Sequence, residues 1–170
     1  MRSGRHAAAG FTLLEMLVVV AIIGIILTFA VLNLGGDRRA EELSEESRRF
    51  AELLRLASEQ AVLRGEEWGV QIAEDEYRFL IYRDDGWALR EDDDLFRTRA
   101  LAPDTELDVE LEGRDLVLES TGEIKPTLLL LSSGEVSPFT AEFAAPATEY
   151  RYQVQADLFG DIRWEALEPW

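Results

Sequence analysis

The sequence predicts an α+β chain: a long N-terminal helix, apolar in its first half and amphipathic in its second, packed on a C-terminal β-rich domain of two antiparallel sheets. Three observations carry this reading. The segment Phe11–Leu34 is almost free of charge, apolar residues then recur at three- and four-residue steps as far as Ala61, and from Trp68 the apolar period falls to two. A length of 170 residues suits one globular domain with appendages.

The charge balance narrows the function classes. With 17 Lys+Arg against 34 Asp+Glu the formal charge is −17, which opposes nucleic-acid binding because counterion displacement needs a basic face. Apolar residues make up 47%, enough to bury a core and to set disorder aside. The absence of Cys excludes a disulfide scaffold, a Cys-zinc site and thiol chemistry. It leaves the compartment open.

Residues 1–10 carry Arg2, Arg5 and His6 and no acid, and from Phe11 to Leu34 the only charge is Glu15. A helix over that run reaches roughly 36 Å, enough for a hydrocarbon core of about 30 Å. Its sixteen Phe, Leu, Ile and Val residues favour insertion by on the order of 5–10 kcal/mol, against at most ~3 kcal/mol for one carboxylate. Residues 11–34 are therefore expected to span a membrane, with the Arg2 and Arg5 side cytoplasmic and the acidic remainder exported. A secretory signal has a shorter apolar core and a small-x-small cleavage site, of which Asn33-Leu34-Gly35-Gly36 is a poor version. A plain anchor explains everything except Glu15, an expensive acid that requires a partner.

Gly35-Gly36 reads as a flexible joint, and Asp37 as an N-cap at which a second helix restarts. Ala40, Leu43, Ser47, Phe50, Leu54, Ala57 and Ala61 form the apolar stripe of an amphipathic helix within 35–65, ended near Gly65. Glu41, Glu42, Glu45, Glu46, Arg48, Arg49, Glu52 and Arg55 fall mainly on the other faces, and part of that charged surface could meet neighbouring subunits. Ala and Ser interrupt the seam too often for a coiled coil.

Across 66–170 the alternating runs are Trp68/Val70/Ile72, Tyr77/Phe79/Ile81, Leu107/Val109/Leu111, Phe139/Ala141/Phe143, Tyr150/Tyr152/Val154 and Ile162/Trp164/Ala166. Turn signals lie at Asp84-Asp85-Gly86, Glu112-Gly113-Arg114-Asp115, Ser132-Ser133-Gly134 and Phe159-Gly160-Asp161. The continuous run Leu128–Leu131 predicts a strand buried on both faces, and Arg90–Asp94 a surface loop. Eight or nine strands are expected.

The residues Ala9-Gly10-Phe11-Thr12-Leu13-Leu14-Glu15 closely resemble the class III signal of type IV prepilins: a short basic leader, Gly, an aromatic residue, Glu, then an apolar helix. The resemblance makes residues 1–10 a leader and implies prepilin-peptidase cleavage between Gly10 and Phe11, followed by N-methylation of Phe11. Cleavage leaves the anchor on the mature chain and takes the charge from −17 to 15 − 34 = −19. It also creates an amine on Phe11, with which the Glu15 carboxylate of a neighbouring chain can pair in a low-dielectric filament core.

A second resemblance lies further on. The helix ending Leu53-Leu54-Arg55-Leu56-Ala57-Ser58-Glu59-Gln60-Ala61-Val62 leads into a Trp-containing strand, and Leu129–Ser137 precedes the strand of Phe139–Phe143. Both features resemble the H-type minor pseudopilins of type II secretion (the GspH/FimT family, which also holds the FimT/FimU minor pilins). Ala57-Ser58 departs from the usual Ala-Arg. The resemblance implies a pilin-like fold and a structural role in a short periplasmic pseudopilus. Its implied partners are the major pseudopilin, the I, J and K minor pseudopilins, the prepilin peptidase, the inner-membrane assembly platform with its ATPase, and membrane lipid. No cofactor and no nucleic acid belong to this reading. The alternatives are a FimT/FimU-like minor pilin that primes a type IV pilus, and a membrane-anchored periplasmic binding module.

Catalytic chemistry finds no footing. The mature chain has neither His nor Cys, so His-dependent triads and imidazole or thiolate zinc ligation are excluded. Ser132-Ser133-Gly134-Glu135 is not a nucleophile elbow, and no Gly-rich phosphate loop with its Lys is present. Major pseudopilins of this kind resemble calcium binders, and Asp92-Asp93-Asp94 and Asp84-Asp85-Gly86 offer hard oxygen ligands. Neither has EF-hand spacing, and adjacent acids ordinarily mark a solvated loop.

Overall fold

A computed structural model describes residues 13–118, 122–146 and 148–167, apart from the side chains of 28–37. Helix α1 spans Leu13–Arg64 as one element, so Asp37 is not the N-cap of a second helix. The chain divides into two compact units, Met1–Asp37 and Arg38–Trp170.

In the first unit every residue from Leu13 to Leu27 is exposed, with Leu13 at 85% and Leu14 at 74%. A helix apolar all round has no face to set against its own domain. Described side chains thus cover only Leu13–Leu27 of the Phe11–Leu34 run. Among the described residues no helix is long and apolar enough to cross a membrane.

The second unit obeys the opposite logic. Ala40, Leu43, Ser47, Phe50, Leu54, Ala57 and Ala61 are all buried, as their spacing predicts. The helix ends at Gly65, whose φ of 63° is the left-handed conformation that glycine adopts without a Cβ clash. The amide of Glu66 donates to the Ala61 carbonyl at 3.1 Å and that of Gly65 to Val62 at 3.4 Å, closing a Schellman cap.

Ten strands follow: β1 (Trp68–Ile72), β2 (Glu76–Arg83), β3 (Gly86–Leu89), β4 (Arg99–Ala100), β5 (Glu106–Leu111), β6 (Arg114–Leu116), β7 (Leu128–Leu130), β8 (Phe139–Ala144), β9 (Arg151–Ala156) and β10 (Ile162–Leu167). They form two antiparallel sheets, one ordered β3-β2-β1-β7 with β4 on β2, the other β10-β9-β8-β5-β6. Phe50 of α1 meets both. Its ring lies 4.9 Å from Tyr77 of β2, 5.7 Å from Phe143 and 6.4 Å from Phe139 of β8. The fold class is therefore α+β, as the change of apolar period predicts.

The β2–β3 and β5–β6 hairpins close on two-residue turns in which both central residues have positive φ, Asp84 and Asp85 in one, Glu112 and Gly113 in the other. Such turns match the right-handed twist of the flanking strands. Four expectations are corrected. β7 has Leu128 and Leu130 buried but Leu129 exposed, because successive side chains of a strand point to opposite faces and the face that Leu129 occupies lacks full cover. The Arg90–Asp94 loop is at the surface from Glu91 onward, but Arg90 itself is buried. Its guanidinium sits 4.9 Å above the Trp68 ring and only 4% of the residue is exposed, a cation–π contact that binds the start of the acidic loop to the core. β9 begins at Arg151, leaving Tyr150 exposed, and the short strands β3, β4 and β6 raise the count above the expected eight or nine.

Candidate assembly surfaces

Gly10 and Phe11, the expected cleavage and methylation residues, lie outside the described residues. Glu15 is exposed in the first turn of α1, where its charge suits the positive end of the helix dipole. From it the exposed apolar surface continues through Leu17, Val20, Ile23 and Leu27.

The charged face of Glu41–Arg49 is largely consumed within its own unit. Arg39 pairs with Glu42 at 3.1 Å and donates to the Pro103 carbonyl. Glu46 is buried: one carboxylate oxygen accepts from the Tyr77 hydroxyl at 2.9 Å, the other from Arg49 at 2.8 Å. Burial pushes the Tyr77 phenol far above its ordinary value, and the charge and hydrogen bond of Glu46 add to the rise. Arg48 lies 4.7 Å over the Trp164 ring, whose indole N–H donates to Ser47 Oγ at 2.9 Å. Glu41 and Glu45 remain exposed. Glu46 was legible in principle, since it stands three residues after Leu43 and four before Phe50, on the buried stripe.

The acidic loops are occupied by local structure. Asp92 pairs with Arg90 at 3.2 Å, and Asp93 accepts from the Leu95 amide at 3.0 Å, capping a short 3₁₀ turn, Asp94–Phe96. Among the described residues no group of three or more His, Cys, Asp or Glu is arranged to hold a metal ion. The outer face of the second sheet is strongly negative, with Asp108 directly opposite Glu142 and Glu110 opposite Asp115. Like charges so placed cost stability, which the Arg151–Glu142 pair at 2.6 Å partly offsets.

A helix apolar on every side at its start, and a two-sheet domain built on the buried stripe of that helix's later turns, define a pilin-like subunit. The family model described as type II transport protein GspH matches residues 46–160, and that of the prokaryotic N-terminal methylation motif matches residues 5–31. The chain belongs to the GspH family, the H-type minor pseudopilins of type II secretion.

Its relatives agree. Type II secretion system protein H of Pseudomonas aeruginosa is 35% identical, with 86% of this chain and 88% of the relative covered. The protein of the same name from Aeromonas hydrophila is 32% identical, with 94% of each chain covered. A crystal structure of the minor pseudopilin EpsH from the type II secretion system of Vibrio cholerae superposes with a TM-score of 0.64 at 31% identity, over 76% of this chain and 95% of that one. The solution structure of Escherichia coli GspH shares the fold, with a TM-score of 0.58 at 16% identity over 75% and 89% of the two chains.

Proposed function

We propose that this chain is a structural, non-catalytic subunit of a type II secretion pseudopilus, held in the inner membrane by 11–34 with residues 66–170 in the periplasm. In this reading a prepilin peptidase cuts between Gly10 and Phe11, and Phe11 is then N-methylated. The observation that carries it is the exposed, all-round apolar surface of Leu13–Leu27 with one carboxylate, Glu15, in its first turn. Water is a poor solvent for such a helix, so lipid covers it before assembly and neighbouring helices cover it afterwards. Glu15 then meets the Phe11 amine of the next subunit, where a charged acid in an apolar core needs its opposite.

The family supports a place beside the major pseudopilin and the I, J and K minor pseudopilins, joining the tip complex to the shaft. The assembly platform extends the fibre, which helps move folded proteins across the outer membrane. Work is done by packing and extension rather than by bond chemistry.

Mass spectrometry of the chain purified from its own membranes tests the reading. The expected mass is that of a chain starting at N-methylated Phe11. A chain starting at Met1, or anywhere beyond Leu34, overturns it. Replacing Glu15 with Ala should leave membrane insertion intact and reduce incorporation into fibres, as measured by co-sedimentation; normal incorporation removes the pairing.

A further inference from the structure

A second apolar surface lies at the other end of α1. Val62 and Leu63, in its last turn, are 49% and 78% exposed, and Leu158 and Phe159, in the turn joining β9 to β10, are 50% and 89% exposed. Val62, Leu63 and Phe159 line one concavity, floored by Gly134 and Gly160. We propose that this concavity, with Phe159 as its anchor, docks a different subunit of the same assembly, one presenting aliphatic side chains ringed by Lys or Arg. The proposal deepens the pseudopilus reading and rests on it.

Phe159 is exposed on a rigid support. The Asp157 carboxylate accepts from the amides of Phe159 at 2.9 Å and Asp161 at 3.1 Å, and the Gly160 amide donates to the Asp157 carbonyl at 3.1 Å. The Val136 amide donates to the Leu158 carbonyl at 3.3 Å, tying this turn to the Ser132–Val136 segment. Gly160 has a φ of 81°, and a Cβ there would stand 2.7 Å from the Gly134 carbonyl oxygen; one at Gly134 would stand 3.8 Å from Val62. Helix end and two turns therefore pack as one platform, and only glycine at position 160 allows the turns so close. An aromatic ring held outward on a fixed turn beside a concavity has the build of an interface anchor, whose ordering cost is already met.

The charges choose the occupant. Glu59 lines the concavity, Glu135 follows Gly134, and Asp157 and Asp161 flank the Phe159 turn. Against these four stand Arg64, which donates to Gln60 at 2.8 Å, Arg163, held by Asp161 at 2.6 Å, and Arg55, whose guanidinium donates to the Ile162 carbonyl at 2.7 Å; the balance stays acidic. A second copy would set this acid-rich rim against itself. A partner with Lys or Arg around aliphatic side chains satisfies both the apolar floor and the negative rim.

Photo-crosslinking of the full chain in cells that carry the whole secretion system tests the surface. Benzoylphenylalanine is placed at Phe159, at Leu63 and, as a control, at the exposed Tyr150, which precedes β9 at the opposite end of the second sheet. The expected result is an adduct from 159 and 63, but not 150, with another subunit of the secretion assembly, at a peptide whose aliphatic residues are flanked by Lys or Arg. Phe159→Ser should cut the yield from position 63 at least about tenfold, as loss of an anchor does, while leaving the melting temperature unchanged. An adduct of twice the chain mass, a lipid adduct, an adduct with a protein outside the assembly, equal labelling from 150, or no adduct overturns the proposal. A chain that begins at Phe11 yet gives no adduct fails the docking surface alone; one that begins at Met1 fails the fibre reading.

Discussion

Leu13–Leu27 and Ala40–Ala61 belong to one helix and differ in almost everything that decides how a helix is stabilised. In the first stretch the large side chains other than Glu15 are Leu, Val, Ile and Met on every side, and all are exposed. In the second only one stripe is apolar, and Leu43, Phe50 and Leu54 on it are at most 1% exposed. Hydrophobicity therefore does not predict burial along α1; periodicity does. A one-faced stripe finds its cover in its own chain, whereas a surface apolar all round must find it in lipid or in other chains.

The comparison breaks most visibly at Phe50, whose ring touches both sheets. Phe50→Ala in the full chain should lower unfolding stability by about 3–5 kcal/mol, the usual cost of an aromatic core cavity, read as a shift of the urea midpoint. Ile23→Ala should leave that midpoint where it was. Equal shifts would mean that the two stretches are stabilised alike.

Val20→Lys probes the other side. A cation at the middle of a spanning helix costs about 2.5–3.5 kcal/mol of insertion, so membrane retention should fall while the urea midpoint of the β-rich unit holds. Retention equal to that of the parent chain would show that the first stretch does not sit in lipid.

The Tyr77–Glu46 contact sharpens the comparison through pH. The Tyr77 phenol titrates higher in the folded chain than in the unfolded one. Its contribution is therefore fully present below the unfolded value of about 10 and is lost as pH rises from there toward the folded value, by about 1.4 kcal/mol per pH unit. Comparing the parent with Tyr77→Phe above pH 10 isolates this group from the other tyrosines, and the variant should show the shallower alkaline slope. Parallel slopes would mean that Tyr77 does not titrate higher in the folded chain.

The smallest loss within the β-rich unit is expected at Ser47→Ala, which deletes the acceptor of the Trp164 N–H. A half-buried indole can turn partly to water, so the loss should be about 1 kcal/mol, visible in the urea midpoint and in Trp fluorescence. A loss several times larger would mean that β10 depends on this one bond.

Much of the fold could be read directly, because apolar spacing reports local geometry. The α1 stripe, the alternation of β1, β2, β5 and β8, and the two-residue turns at Asp84-Asp85 and Glu112-Gly113 follow from side-chain direction and backbone sterics over a few residues. Residue type alone puts Arg and Glu in water and Leu in the core. Arg90 departs from this because Trp68 lies under it, Glu46 because its place on the α1 stripe sets it beside Tyr77, and Leu129 because its face of β7 lacks full cover. The candidate surfaces divide in the same way. Glu15 stands out as the lone charge in an apolar run, whereas nothing local joins Val62 and Leu63 to Phe159.

By itself the sequence determined a long helix with two kinds of surface, a β-rich remainder, and the Gly10-Phe11 to Glu15 spacing that marks a prepilin signal. Periodicity and charge sufficed for these because each is a property of neighbouring residues. Only the tertiary structure decided that Trp164 meets Ser47 across 117 residues of chain, that Arg90 covers Trp68, and that a helix end and two glycine turns form one apolar platform. Those contacts join residues far apart in the chain, and long-range closure is what short-range spacing does not encode.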